Sequence, residues 1–492
     1  LEAAAALLGP RLPADFRAAR LRGRAELTGK YALQRTRQES KDNLAASLSL
    51  DGVELDPVVG GRPLHVRASG RIDASGPFED PRLSADVRAS IGRIAAAGLA
   101  VAGSDVHVVA SGAKSGVAVT RLDARLAGLT FGPAAGKTIS FDHADLSGQG
   151  TLDLVRKGAV MTSLEAALPG LAPLRLSGKY GSGSDAAFEL RLDSRGLDIP
   201  SLRALAAPFI PADFAGWDLG GTIDLSLAAR RPAGTRGDWG FSGTVSLAGA
   251  KFNDPSFTIA GEGLDPVLEF EATGSPSKGL SFSGSLDIEH GESLWKSVYV
   301  GWDKHPLRLT AAGRYDPGSA GIDGLTARVQ LPTIGEIDVT GEAKMGPPLS
   351  FDLRTEARLG LGPLYSLYTQ AGVSEEARMK LEGTLGASLD VHNAGGALSV
   401  AGRVKLADTN IERPLTKTLL LGITADLPIR YESGPAAAPS ASEAPLPEEG
   451  FLRIGEFQNP FITLKPVNVA LRAGVNALGI EPLSLEVYGG RL

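Results

Sequence analysis

Cysteine is absent from this chain, methionine occurs three times, and aromatic residues make up only 6% of 492 positions. Without thiols there is no disulfide framework and no cysteine metal site, a composition compatible with an oxidising compartment. No window approaches 18 consecutive apolar residues, so the sequence contains no transmembrane helix. Acids and bases are interspersed, with a formal net charge of −6. The lack of any basic stripe argues against nucleic acid as a partner. His65, His107, His143, His290, His305 and His392 lie far apart, and none has a second histidine at ligand spacing, so zinc is unsupported. There is no Gly-x-Ser-x-Gly elbow, no Walker loop, and no Gly-x-Gly-x-x-Gly between a strand and a helix. Asp287, Glu289, His290 and Glu292 form the densest polar cluster, and they read as the solvent face and turn of a strand. Asp265 and Glu269 have the same reading. The expectation is a protein that is not an enzyme and needs no cofactor or metal.

What the chain does have is period-2 alternation, repeated from end to end. Phe188-Glu189-Leu190-Arg191-Leu192-Asp193 is typical. The pattern returns at Leu44–Leu50, Leu64–Ile72, Leu152–Val155, Val267–Ala272, Leu280–Ile288, Leu307–Ala311, Leu325–Leu331, Leu349–Leu353, Leu398–Leu406 and Leu483–Val487. Successive side chains of a strand point to opposite faces, so each run makes a ribbon with one apolar side and one polar side. The 62 glycines and 31 prolines are well above the usual share. Gly52, Gly70, Gly103, Gly112, Gly148, Gly243, Gly284, Gly313, Gly341 and Gly402 are read as strand ends, suited to turns, bulges and bends.

A long-period repeat organises these strands. Leu7, Pro10, Pro13, Ala14, Asp15, Phe16, Leu21, Gly23 and Leu27 align with Leu205, Pro208, Pro211, Ala212, Asp213, Phe214, Leu219, Gly221 and Leu225. Each copy reads as a short apolar helix, a turn and a strand entering through Leu-x-Gly. A looser third copy runs from Leu361 to Leu389. The expected division is a β-groove repeat over 1–200, a second over 201–358, and a helix-plus-strands repeat over 359–432. A Pro/Ala/Ser/Glu-rich linker follows over 433–450, and terminal strands over 451–492. Short helices are expected at Leu1–Leu8, Leu202–Phe209 and Leu364–Gln370, as caps or covers. The chain begins at Leu1 with no initiator Met and stops at Gly489-Gly490-Arg491-Leu492 in mid-pattern, and so reads as a fragment.

Three schemes could bury the apolar face. A sandwich would pair it with a second sheet. An outer-membrane barrel would turn it to lipid, but such barrels carry aromatic girdles, for which four Trp and eight Tyr are thin. A curled sheet would leave it lining a groove that a ligand fills. Leu, Ala and Val make a smooth lining, and glycines permit strong curling. An acyl chain of about 16 carbons carries roughly 13 kcal/mol of hydrophobic cost in water, which a continuous apolar trough removes at every point.

The final segment, from Phe461-Ile462-Thr463-Leu464 to Pro482-Leu483-Ser484-Leu485-Glu486-Val487-Tyr488-Gly489-Gly490-Arg491-Leu492, resembles the carboxy-terminal pattern of AsmA-like proteins. The helix-then-Leu-x-Gly junctions look like that superfamily, and Gly76-Pro77-Phe78-Glu79-Asp80-Pro81-Arg82-Leu83 is similar to segments of its TamB-like and YdbH-like relatives. The resemblance implies a repeating β-groove bridge in the periplasm, anchored to the inner membrane by a segment absent from this chain. It also implies movement of phospholipid between inner and outer membranes. Tyr488, Gly489 and Gly490 match the motif, with a structural role.

The expected fold is mainly β, a long, strongly twisted antiparallel sheet curled into an elongated apolar groove, with a few short covering helices. The candidate lining is Leu190, Leu192, Leu268, Phe270, Phe282, Leu286, Ile288, Phe351, Leu353, Leu483, Leu485 and Val487. The alternative is a non-enzymatic scaffold for outer-membrane protein biogenesis, working with envelope assembly proteins through an exposed sheet edge.

Overall fold

The computed structural model describes residues 20–35, 40–56, 58–59, 62–96, 98–134, 137–181, 187–210, 214, 216–234, 238–275, 277–296, 298–345, 348–369, 379–394, 396–433, 448–464, 466–474, 477–480, 486–487 and 490–491. The protein is mainly β. Its strands form one large antiparallel sheet of 31 strands that is not closed into a barrel. Two short helices interrupt it among the described residues. The helix expected at Leu1–Leu8 and most of the 433–450 linker lie outside the described residues, and Glu448–Ile454 is a strand.

Contacts divide the chain into two units. The first comprises 1–215 and 222–238, the second 216–221 and 239–492. The first is a meander. Strands Arg20–Arg35, Ser40–Asp56, Val66–Gly76, Arg82–Ile91, Gly103–Ala113, Gly116–Ala134, Lys137–Asp153, Gly158–Ala167, Leu174–Tyr180 and Phe188–Asp198 pair in that order, ending on Thr222–Arg231. The second runs in the same manner through Trp239–Asn253, Val267–Ser275, Gly279–Ile288, Leu307–Asp316, Gly321–Leu331, Gly335–Lys344, Ser350–Gly360, Lys380–Ala394, Ala397–Arg413 and Thr418–Glu432. Antiparallel neighbours can be joined by short hairpins, and many here are, while other links carry the two helices or small extra strands.

Local chemistry explains where elements stop. The run Leu152–Val155 does not continue as a strand; it ends at Asp153, with a turn over 154–157. The Asp153 carboxylate accepts hydrogen bonds from the backbone N–H of Val155 and Arg156, at 3.0 and 2.8 Å, and so competes with the ladder. Helix α1 is Ile199–Ala206, three residues earlier than the apolar spacing suggests, followed by a 3₁₀ turn at Ala207–Phe209. The earlier start has a definite cause. Asp198 caps it by accepting from Ser201 N at 2.9 Å, and Pro200 occupies the first turn, where its missing N–H costs nothing. Helix α2, Leu361–Thr369, follows the strand Ser350–Gly360 and also carries a proline, Pro363, in its first turn. It packs against Lys380–Ala394 and Val298–Gly301.

The core is small. Among the described residues 14 apolar side chains are buried, including Val101, Leu197, Ala250, Leu264, Ile334, Leu361 and Ile423. Two facing sheets would bury far more side chains than this. Burial instead alternates between half-buried and exposed along many strands, as in Lys380–Ala394, where Leu381, Leu385, Leu389 and Val391 are half-buried and Lys380, Glu382, Ser388 and Asp390 are exposed.

Candidate functional site: the apolar face of the sheet

Register turns the alternation of single strands into a surface. Residues directly opposite in an antiparallel ladder point to the same side, so pairings can be followed from strand to strand. In the first unit one row runs Leu27, Leu48, Ile72, Ala85, Ala110, Val119, Gly150, Met161, Gly178, Leu190, Ala229. It crosses eleven strands without a polar side chain, roughly 48 Å at ~4.8 Å per strand. In the second unit a row runs Val245, Leu268, Leu286, Leu309, Val329, Ile337, Ala357, Ala387, Val404, Leu427, again with no polar member. The adjoining row on the opposite face reads Thr244, Glu269, Ser285, Thr310, Arg328, Asp338, Glu356, Ser388, Arg403. The second face is held by exposed ion pairs such as Arg175–Glu165 at 3.1 Å and Lys380–Glu412 at 3.0 Å.

Nine of the sequence-derived lining residues fall on the apolar side of their own unit, Leu190 and Leu192 in the first and the other seven in the second. Leu190 stands opposite Gly178 and Ala229, and Leu192 opposite Leu176 and Leu227. Leu268 faces Leu286, Phe270 faces Gly243 and Gly284, and Phe282 faces Ala272 and Gly313. Ile288 stands opposite Leu307, Phe351 opposite Ala343, and Leu353 opposite Gly341 and Val391. All are half-buried except Leu268, which is 40% exposed. Leu483, Leu485, Tyr488 and Gly489 lie outside the described residues. Val487 pairs with Gly490 in a separate two-stranded hairpin, so the structure does not bring it into the main sheet.

The glycines assigned to strand ends are a correction. Gly70, Gly148, Gly284, Gly341 and Gly402 sit inside strands, on the apolar face. A Cβ at Gly341 would overlap the carbonyl oxygen of Asp352, and one at Gly402 that of Ser388, with φ of +149° and +152° that side-chain-bearing residues rarely adopt. Cβ atoms at Gly148 and Gly284 would come within 2.7 and 2.8 Å of carbonyl oxygens on the next strand. Gly386, in mid-strand on the polar face, has nothing nearer than 3.9 Å. A side chain at these points would meet the backbone of the next strand, which is why glycine stands there. Two hollows of the first unit, about 820 and 750 Å³, are walled mainly by the polar face, including Arg88, His107 and Asp123 in the larger and Arg71, Asp73 and Asp86 in the smaller.

Titratable groups have local partners. His65, His107 and His290 contact Asp56, Asp86 and Asp303 at 2.7, 2.8 and 2.9 Å, and the buried His305 contacts the Thr333 hydroxyl at 2.7 Å. The hydrogen bond to Asp303 raises the His290 pKa. The Asp254 carboxyl is lowered to about 2, first by the backbone N–H of Ile259 and then by the Ser256 hydroxyl. Among the described residues no group of His, Asp and Glu is arranged to hold a metal ion. No described helix is long and apolar enough to cross a membrane.

No family model matches the chain, no curated protein aligns with it, and no solved structure matches its fold.

Proposed function

We propose that this protein shields the acyl chains of phospholipids on the apolar face of its sheet while they travel between the inner and outer membranes, as a periplasmic bridge of the AsmA-like kind. One observation carries the reading. Apolar rows run unbroken across the strands of each unit and are half-buried at most positions, with no second sheet packed over them among the described residues. An apolar surface of that extent needs an occupant, because exposed contiguous apolar area is costly in water. The shape of the surface narrows the choice. A row of Leu, Val, Ala and Gly repeated at each strand offers nearly equal binding at every step, so a flexible hydrocarbon can move along it. A ligand with a fixed polar pattern would find no partner in these rows. The polar face stays in water and keeps the sheet soluble.

The test is extraction of the purified protein with organic solvent, followed by mass spectrometry, and transfer of labelled phospholipid between vesicles. Co-purifying diacyl lipid and protein-dependent transfer are expected. Protein free of lipid that neither binds nor transfers it, but captures peptides from outer-membrane barrels, would sink the proposal in favour of a scaffold.

A further inference from the structure

The apolar side of the second unit changes character from one end of its strands to the other. At one end the strands are joined by plain turns, such as those from Ser275 to Gly279, Asp316 to Gly321 and Ala394 to Ala397. At the other end stand the small strands Ile259–Leu264, Glu292–Trp295 and Val298–Gly301, together with helix α2. The buried side chains Ala250, Leu264, Ile334 and Leu361 belong to that end.

Aromatic residues gather at the plain-turn end. Following the pairings, the two apolar rows nearest those turns hold Trp239, Phe241, Phe282, Tyr315, Phe351 and Tyr431. Two other aromatic residues of the same strands lie elsewhere. Phe270 is one row further in, and Phe252 is at the opposite end, 6.2 Å from the ring of Trp217. The polar side of these strands carries no aromatic residue. Large meets small across the ladder, Trp239 opposite Gly274, Phe282 opposite Gly313 and Phe351 opposite Ala343. Trp239 and Phe241 stack, with centroids 6.0 Å apart and planes 11° from parallel. The Tyr315 and Tyr431 hydroxyls have no hydrogen-bond partner among the described residues, and Tyr431 is 47% exposed. Further in, the row through Leu268, Leu286, Leu309 and Val329 is aliphatic. The first unit, taken by itself, repeats the arrangement. Tyr180 and Phe188 face each other at the end of their strands away from α1, and Tyr180 is 54% exposed.

We infer that this aromatic margin is where the polar head of a bound lipid sits, so that its acyl chains lie along the strands and point towards the α2 end. The inference rests on the lipid reading above and adds an orientation to it. Tyrosine and tryptophan join an apolar ring to a polar tip, and for that reason they concentrate where hydrocarbon meets water. Ester carbonyl and phosphate oxygens accept hydrogen bonds that the Tyr315 and Tyr431 hydroxyls are able to donate, whereas the aliphatic rows offer them nothing. Length agrees. From Tyr315 to Leu307 the strand runs eight residues, roughly 27 Å at ~3.4 Å each. The hydrocarbon of one bilayer leaflet is about 15 Å deep, half of a core of about 30 Å, so a whole acyl chain fits along the strand. The reverse orientation would set the head against buried Leu264, Ile334 and Leu361, where an unpaired polar group is costly. An oriented lipid can still step from strand to strand, because the order of aromatic margin and aliphatic interior is kept across the unit.

The chain has no cysteine, so single sites can be labelled cleanly. Ala343→Cys lies in the outermost apolar row, and Ile337→Cys lies six residues away on the apolar side of the same strand. Each variant of the full chain carries a fluorophore on its cysteine. The probes are phosphatidylcholine with a nitroxide on the choline head and phosphatidylcholine with a nitroxide at the end of an acyl chain. Quenching reports which part of the lipid lies near each site. The head nitroxide is expected to quench the label at 343 more than the label at 337, and the chain-end nitroxide to reverse that order. The opposite order, equal quenching at both sites, or no quenching while lipid is found bound by mass spectrometry overturns the inference and leaves lipid binding standing. No quenching with no lipid bound removes the lipid reading itself, and this inference with it.

Discussion

The two faces of this sheet share the same strands and the same ladder of hydrogen bonds, yet they behave as different materials. On one, Leu268, Leu286, Leu309 and Val329 follow one another across four strands. On the other, one residue along, Glu269, Ser285, Thr310 and Arg328 do the same. The polar face needs nothing further, because water and neighbouring charges satisfy it. The apolar face gains nothing from water, and among the described residues no second sheet covers it. Glycine is also used differently. Gly402 on the apolar face has no room for a Cβ, whereas Gly386 on the polar face has open space. Close approach to a neighbouring backbone at Gly402 is met by glycine, which is the sequence condition for bending there.

Three experiments would break or sharpen that contrast. The largest effect is expected from Gly402→Ala, which combines an overlap with Ser388 and an unfavourable φ. It should cost about 2–4 kcal/mol, against less than about 1 kcal/mol for Gly386→Ala. Urea midpoints of the two variants measure the difference, and equal values would remove the argument for glycine-directed bending. Next come paired charges. Leu190→Asp with Phe270→Asp should abolish lipid transfer while leaving the β-sheet circular dichroism intact. Ser177→Asp with Thr310→Asp, on the polar face opposite Arg191 and Arg328, should leave transfer unchanged. Transfer that survives the first pair would show that the apolar rows do not hold the chains.

The smallest effect belongs to a turn on neither face. Asp254, with an ordinary pKa of 3.8, is lowered to about 2 by the bonds that fix residues 254–259. Because the folded value is depressed, its stabilising contribution is complete above 3.8 and disappears as the pH falls towards 2. The gap in thermal midpoint between the wild type and Asp254→Asn should therefore be constant at neutral pH and close on acidification. A gap that widened in acid would contradict the assignment.

Much of this was legible along the chain. Phe188-Glu189-Leu190-Arg191-Leu192 announces a two-sided strand, because a period of two has one structural meaning. Leu190 and Leu192 share the apolar side of the first unit, and the candidates from Leu268 to Leu353 that of the second, for the same reason. Other features were less accessible. Gly341 and Gly402 read as strand ends, since glycine is common in turns and nothing local marks it as a bend within a strand. Ala85, Ala110 and Ala387 attract no attention singly and matter only as members of rows. The start of α1 was obscured because spacing of apolar residues says little about a cap, although Asp198 and Pro200 were there to be read.

The amino-acid order by itself determined that the strands are amphipathic and that each ribbon has an apolar side. Which residues become neighbours across strands, and therefore whether those apolar sides join into unbroken rows, was decided only in three dimensions. The reason is physical. Alternation is a property of one strand's own backbone, whereas register and curvature depend on pairing between segments and on how closely two backbones can approach.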